Sequence, residues 1–160
     1  MSLPDTDASL HQDTLLKLIA IEEIRQLKAR YFRMLDTKDW DGFAAVFTPD
    51  AVLDSGAWTI TGAGVIADRV SASLEGIVTV HHGHTPEITI DSPTTAHAIW
   101  AMADELHAGG NPEKGLTGSG HYHEEYTRTG DGWRISRSKL TRLHISPLPG
   151  GFHVAVPGDN

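Results

Sequence analysis

From Thr14 to about Leu35, apolar side chains recur at Leu15, Leu18, Ile19, Ile24, Leu27, Tyr31, Met34 and Leu35, close to the spacing of one helical face. Asp13 or Thr14 can cap this helix, and the acidic link Asp36-Thr37-Lys38-Asp39 turns the chain at its end. Trp40, Phe43, Ala44 and Phe47 suggest a second short helix that Pro49 stops, so the two should form a helical hairpin. Residues 51–60 alternate weakly, as a short strand pair would. Val65–Leu74, entered through Thr61-Gly62-Ala63-Gly64, reads as a third helix.

Beyond residue 76 the texture changes. Ile77–Asp91, Thr94–His107, Thr117–Arg128 and Trp133–Ile145 are rich in Thr, Val, Ile, Tyr and Trp, side chains that suit a pleated surface. Ser92-Pro93, Gly109-Gly110-Asn111-Pro112 and Thr129-Gly130-Asp131-Gly132 separate them as turns. Helices first and long strands afterwards predict an α+β fold: a strongly curved, mostly antiparallel sheet with the N-terminal helices packed over it. A curled sheet under helices encloses a concave pocket, a natural small-molecule site.

One domain over residues 1–160 accounts for the whole pattern, with 1–12 as a loose N-terminal arm and 146–160 as a C-terminal tail. That tail sets Pro147, Pro149 and Pro157 around an alternating Phe152, Val154 and Val156, and it could cap the pocket or pair with another subunit. With 160 residues, 39% of them apolar, the chain can bury one sizeable core.

Charge and composition narrow the function. Acidic residues outnumber basic ones 21 to 13, and a formal charge of −8 disfavours a nucleic-acid partner. The lack of cysteine excludes thiol nucleophiles, thiolate zinc sites and disulfides, and suits a reducing compartment. No apolar run approaches the roughly 18 residues of a membrane span, and Met1–Asp13 is acidic where a secretory signal would be basic and then apolar. A cytoplasmic protein with no membrane partner is expected.

Histidine is over-represented, with ten in the chain, mostly in two bunches. His81-His82-Gly83-His84 lies on the first long strand, where alternation puts His82 and His84 on one side and His81 on the other. A cavity-facing imidazole is a natural general base near neutral pH. His121-x-His123 shares a strand face, and with Glu87, Asp104 or Glu125 a metal site could be drawn, although the glycine-bounded spacing of a cupin barrel is lacking. No metal is expected.

Tyr31 and Asp36 lie five residues apart. That separation is about 140° of helix, so Asp36 must sit at or beyond the helix end to turn inward. There it could hold an imidazole in one tautomer, while Tyr31 donates a hydrogen bond to a leaving group or carbonyl. On the last strand Arg134, Ser136, Ser138, Leu140, Arg142 and His144 share one face, and Trp133, Ile135, Arg137, Lys139, Thr141 and Leu143 the other. Parity leaves open whether Arg142 or Arg137 points inward. The apolar neighbours of Asp104 in Trp100-x-Met102-x-Asp104 suggest an inward carboxylate, and Arg142 is its candidate partner.

Taken in order, Ala29-Arg30-Tyr31-Phe32 followed by Asp36, Asp39-Trp40-Asp41-Gly42-Phe43, Phe47-Thr48-Pro49-Asp50-Ala51, His81-His82, Trp100–Asp104, Gly118–Tyr122, Asp131–Ile135 and Leu140–Leu143 resemble the SnoaL-like branch of the nuclear transport factor two-like superfamily. The resemblance implies a conical α+β barrel with a deep pocket. Within that superfamily the pattern is similar to bile acid 7α-dehydratases, scytalone dehydratases and lindane dehydrochlorinase, the last especially in the tail Pro147–Gly158.

What the resemblance implies is a lyase without cofactor that removes water or hydrogen halide from a small, largely apolar cyclic substrate. It casts His81 as base, Asp36 as orienting carboxylate, and Tyr31 with Arg142 as stabilisers of the departing or enolate-like oxygen. Asp104, Trp58, Tyr122 and Phe47 would contact substrate. A polyketide-cyclase or ketosteroid-isomerase-like enzyme and a non-catalytic small-ligand-binding module are the alternatives. The similar enzymes are trimers, so a homotrimer is expected, with a dimer second.

Overall fold

In the computed structural model, which describes residues 6–151, helix α1 runs from Thr6 to Thr37. It starts earlier than expected, because Ala8-Ser9-Leu10-His11-Gln12 contains no helix breaker. The part of the expected loose arm from Thr6 onward is therefore helical. Leu15, Leu18 and Ile19 are exposed, and the buried face begins at Ala20 and continues through Ile24, Leu27, Tyr31 and Leu35. The apolar stripe thus changes its job along the helix, reaching the sheet only in its second half.

Lys38 takes a left-handed φ of 62° in the turn that follows, and the Asp39 carboxylate caps α2 (Trp40–Ala44) by accepting from the Gly42 N–H at 2.9 Å. The second helix stops short of Phe47, which instead opens strand β1 (Phe47–Asp54). Pro49 sits inside β1, at the register irregularity between Phe47 and Val52, where a residue without an N–H is tolerated. Then come β2 (Thr59–Thr61), α3 (Ala63–Ser73), β3 (Ile77–Ile90), β4 (Thr95–Ala108), β5 (Gly115–Thr129) and β6 (Gly132–Pro147).

The strands form one six-stranded sheet in the order β2-β1-β6-β5-β4-β3. All pairs are antiparallel except β1 with β6, which run parallel. β2 and β3 are free edges, so the expected barrel is an open sheet with its helices on one face. The core lies between the two layers, where Tyr31, Phe43 and Phe47 pack ring against ring with centroids 5.1 to 6.0 Å apart.

β6 does not keep a single parity. Tyr126 pairs with Ile135 while Glu125 pairs with Arg137, which leaves Ser136 as an extra residue on the β6 side. Trp133 and Ile135 are buried before this bulge, and Ser138, Leu140 and Arg142 take over the inner face after it. Strict alternation therefore fails in both of the faces expected from the sequence. β6 runs on to Pro147, and Leu148 and Gly150 donate to Gly115 and Glu113 at 2.8 and 2.7 Å. The expected capping or pairing role of Phe152, Val154 and Val156 lies outside the described residues, as do residues 1–5 of the arm. Among the described residues no helix is long and apolar enough to cross a membrane.

Candidate active site

A cavity of about 510 Å³ opens between the helices and the sheet. Its floor is made by Tyr31 of α1, His81 of β3, Asp104 of β4, Tyr122 of β5 and Arg142 of β6. Apolar walls follow from Leu35, Leu53, Val70, Leu74, Ile77, Leu106, Leu116, Leu140 and Ile145, and Ser55, Ala57, Trp58 and Arg69 line it as well. Five separate elements thus converge on one polar patch under a hydrocarbon sleeve, the composition of a small-molecule site.

β3 carries His81 inward, and Asp36 in the last turn of α1 meets it. His81 Nδ1 lies 2.7 Å from Asp36 Oδ1, and the His81 backbone N–H donates to Asp36 Oδ2 at 2.9 Å. Thr79, two residues back on the same face, donates its hydroxyl to Asp36 Oδ1 at 2.9 Å, and itself accepts from Lys38 Nζ at 2.8 Å. Burial alone would push the Asp36 carboxyl up. The hydrogen bonds from the His81 ring and backbone, the His81 charge and the Thr79 hydroxyl outweigh it and hold Asp36 below the usual carboxylate range. An ionised Asp36 can only accept, so in the neutral ring Nδ1 carries the hydrogen and Nε2 keeps the lone pair.

Nε2 is the atom on the cavity side, 4.0 Å from Asp104 Oδ2. Asp36 itself opens away from the cavity, onto a separate cleft of about 760 Å³ shared with Lys38, Trp40 and Asp68. Asp104 is buried and held in a two-pronged ion pair by Arg142, Nη1 to Oδ1 at 2.8 Å and Nη2 to Oδ2 at 2.6 Å. Burial would lower the Arg142 guanidinium, but the hydrogen bonds and charge of Asp104 raise it above its ordinary value. Burial likewise pushes the Tyr31 and Tyr122 phenols well up, so both hydroxyls stay protonated donors at neutral pH.

The residues singled out in the sequence divide clearly. Tyr31, His81, Asp104, Trp58, Tyr122 and Arg142 line the cavity, and Asp36 stands behind His81. Phe47 does not join them: it is buried in the core against Tyr31 and Phe43, because β1 begins at that residue and turns it inward beneath α1. Arg137 is exposed, so the inward arginine is Arg142. His82 and His84 are exposed with ring centroids 6.4 Å apart, and His84 lies inside the register irregularity between Gly83 and Pro86. The rings of His121 and His123 lie 6.3 Å apart, and His123 meets Thr141 at 3.1 Å.

Four participants escaped the sequence reading: Thr79 and Lys38 around Asp36, and the fully buried pair Lys28 and Glu124 beneath the phenols. A signal for the last two was present. Lys28 follows Ile24 by four and precedes Tyr31 by three on the helix, a core position, and Glu124 sits between Tyr122 and Tyr126 on the inward parity of β5.

Comparison with known proteins agrees with this architecture. The model of the family described as SnoaL-like domain matches residues 17–139. "Probable cyclase FGR4" of Gibberella zeae is 29% identical over 136 residues, covering 76% of this chain and 89% of that protein. A Novosphingobium aromaticivorans structure provisionally designated a scytalone dehydratase superposes with a TM-score of 0.79 at 18% identity, covering 89% of this chain and 94% of the other. A hexachlorocyclohexane dehydrochlorinase from Novosphingobium barchaimii superposes with a TM-score of 0.75 at 20% identity, covering 89% and 99%.

Proposed function

Because the chain belongs to the family of SnoaL-like domains, we propose that it is a lyase, of dehydratase or dehydrohalogenase type, acting on a small, largely apolar cyclic substrate. The observation that carries the reading is the His81–Asp36 contact at 2.7 Å, with the other imidazole nitrogen toward an apolar-walled cavity. His81 Nε2 takes a proton from carbon, and the C–H electron pair becomes the new double bond. The bond to oxygen or halogen on the neighbouring carbon breaks and its pair departs with the leaving group. Asp36 steadies the imidazolium that forms; departing hydroxide takes the proton back from His81 Nε2 and leaves as water, whereas after halide departs that proton passes to solvent.

Tyr122 supplies a hydrogen bond to the oxygen on which charge develops, and Tyr31, whose hydroxyl donates to that of Tyr122, strengthens it from behind. Arg142 keeps the Asp104 carboxylate beside His81 with two of its five N–H groups and has others left to stabilise the departing or enolate-like oxygen. The acid and base are the chain's own side chains, and the scheme calls for no cofactor. The name of the Gibberella relative supports a second reading, a cyclase or isomerase in which the same base makes an enolate that reacts within the substrate. The dyad in hydrogen-bond contact and the open cavity speak against a purely binding role.

Turnover on a panel of hydroxylated and halogenated cyclic ketones, followed by mass spectrometry, tests the reading: elimination lowers the product mass by water or hydrogen halide, whereas isomerisation conserves it. His81→Ala should reduce the rate about 10²- to 10⁴-fold, and an undiminished rate in the folded variant would remove the proposal. The same reading includes a cytoplasmic homotrimer, which light scattering would register as three times the 17.3 kDa chain.

A further inference from the structure

Behind the two cavity phenols lies a charged pair with no access to solvent. Lys28 Nζ meets Glu124 Oε1 at 2.6 Å, and both side chains are fully buried. The same ammonium stands 3.7 Å from the Tyr31 ring centroid and 3.8 Å from that of Tyr122. One carboxylate oxygen and these two aromatic faces surround it, with the Phe32 ring farther off at 4.7 Å. Glu124 is saturated in turn, since Ser138 donates to Oε1 at 2.9 Å and the Tyr126 hydroxyl donates to Oε2. Trp100 Nε1 closes the network on the Tyr126 oxygen at 2.8 Å.

Stability is a poor reason for such a pair, because a buried ion pair is often no better than hydrocarbon of the same volume. Its position offers another. Tyr31 and Tyr122 line the reaction cavity, while Lys28 is absent from its lining and borders a neighbouring hollow with Arg25, Phe32 and His82, the two hollows meeting at His81. The ammonium therefore supports the phenols from outside the cavity and never needs to touch what they bind.

We propose that Lys28 is a positioning residue: pinned by Glu124, its ammonium fixes the Tyr31 and Tyr122 rings so that this hydrogen-bonded pair of hydroxyls is aimed at an oxygen of the bound molecule. The inference rests on the reading of this cavity as the reaction site, and it adds why a lysine occupies a core position of α1. Misaiming the two donors weakens stabilisation of the developing oxyanion while leaving the apolar walls that bind substrate intact, so the effect falls on kcat and spares KM.

The test uses the double variant Lys28→Met/Glu124→Gln, which removes both charges together; Lys28→Met alone would strand a buried carboxylate and disturb folding for that reason only. The chain has three tyrosines, all in this network, so incorporated 3,5-difluorotyrosine gives a fluorine NMR spectrum with no background. In the native protein each held ring shows its two fluorines separately. In the folded double variant the signals of Tyr31 and Tyr122 should merge as the rings begin to flip, while Ile24→Val, which trims the same buried helix face but keeps both charges, leaves them separate. Turnover of the double variant should fall about ten- to a hundredfold in kcat with KM little changed. Separate signals and full kcat in the folded double variant would overturn the proposal. The spectra need no substrate, so they decide the positioning claim even if the lyase reading fails.

Discussion

Asp36 does two things at one residue. β3 is an edge strand, and the His81 N–H that has no neighbouring strand to bond is taken up by Asp36 Oδ2, while Oδ1 receives the ring. The carboxylate therefore stands in for a missing strand and orients the His81 ring. Asparagine offers one acceptor where two are needed, so Asp36→Asn leaves either the backbone or the ring hydrogen facing an amide donor. A rate loss of about 10²-fold is expected, read from kcat at neutral pH. The pH dependence has a definite sign. Because the folded-state pKa is depressed, ionised Asp36 stabilises the fold above the ordinary aspartate value, and this contribution is lost as the pH falls through the lower, folded value. Melting temperature against pH should drop less steeply on acidification in Asp36→Asn than in the parent chain.

Between elements, the close approach of β5 to β6 is set by glycine. A Cβ on Gly118 would run into both Arg142 Nη1 and Asp104 Oδ1, so the bare backbone there is what lets the ion pair lie flat across the strand. Gly118→Ala should pry Arg142 from Asp104 and cost about 1–3 kcal/mol by overpacking, measurable by denaturant unfolding, and the loosened Asp104 should lower turnover as well. The long strands were legible in the sequence because Ser92-Pro93, Asn111-Pro112 and Gly130-Asp131-Gly132 mark where they end, and the structure keeps those turns. The bulge at Ser136 was not, since an extra residue is specified by pairing with Tyr126 and Glu125 on another strand and leaves no local trace. Phe47 misled for a related reason: its helical spacing from Phe43 is real, but the chain straightens after Ala44 and the ring reaches the same core from a strand. His81, Asp36, Tyr31, Asp104 and Arg142 could be named from order and resemblance, whereas Lys28 and Glu124 were passed over, because two charges 96 residues apart become partners only when β5 packs against α1.

At the scale of the molecule, one cavity lies between a helix layer and a sheet, and filling it should stabilise both. A hydroxylated polycyclic ketone that binds there at a hundred times its Kd adds about 2.7 kcal/mol, a rise of several degrees in Tm by calorimetry. Leu53→Trp, which extends an inward wall residue into the space, should abolish that rise while the unliganded protein still folds. The polar floor comes from α1 and the long strands β3 to β6, but Trp58 and Arg69 come from the β1–β2 loop and from α3. On the proposed reading, the mouth of the cavity can therefore change without touching the residues that carry the reaction. Random mutagenesis confined to residues 55–73 could recruit new compounds to an unaltered chemical apparatus, which makes this segment the place where a laboratory lineage would diversify first.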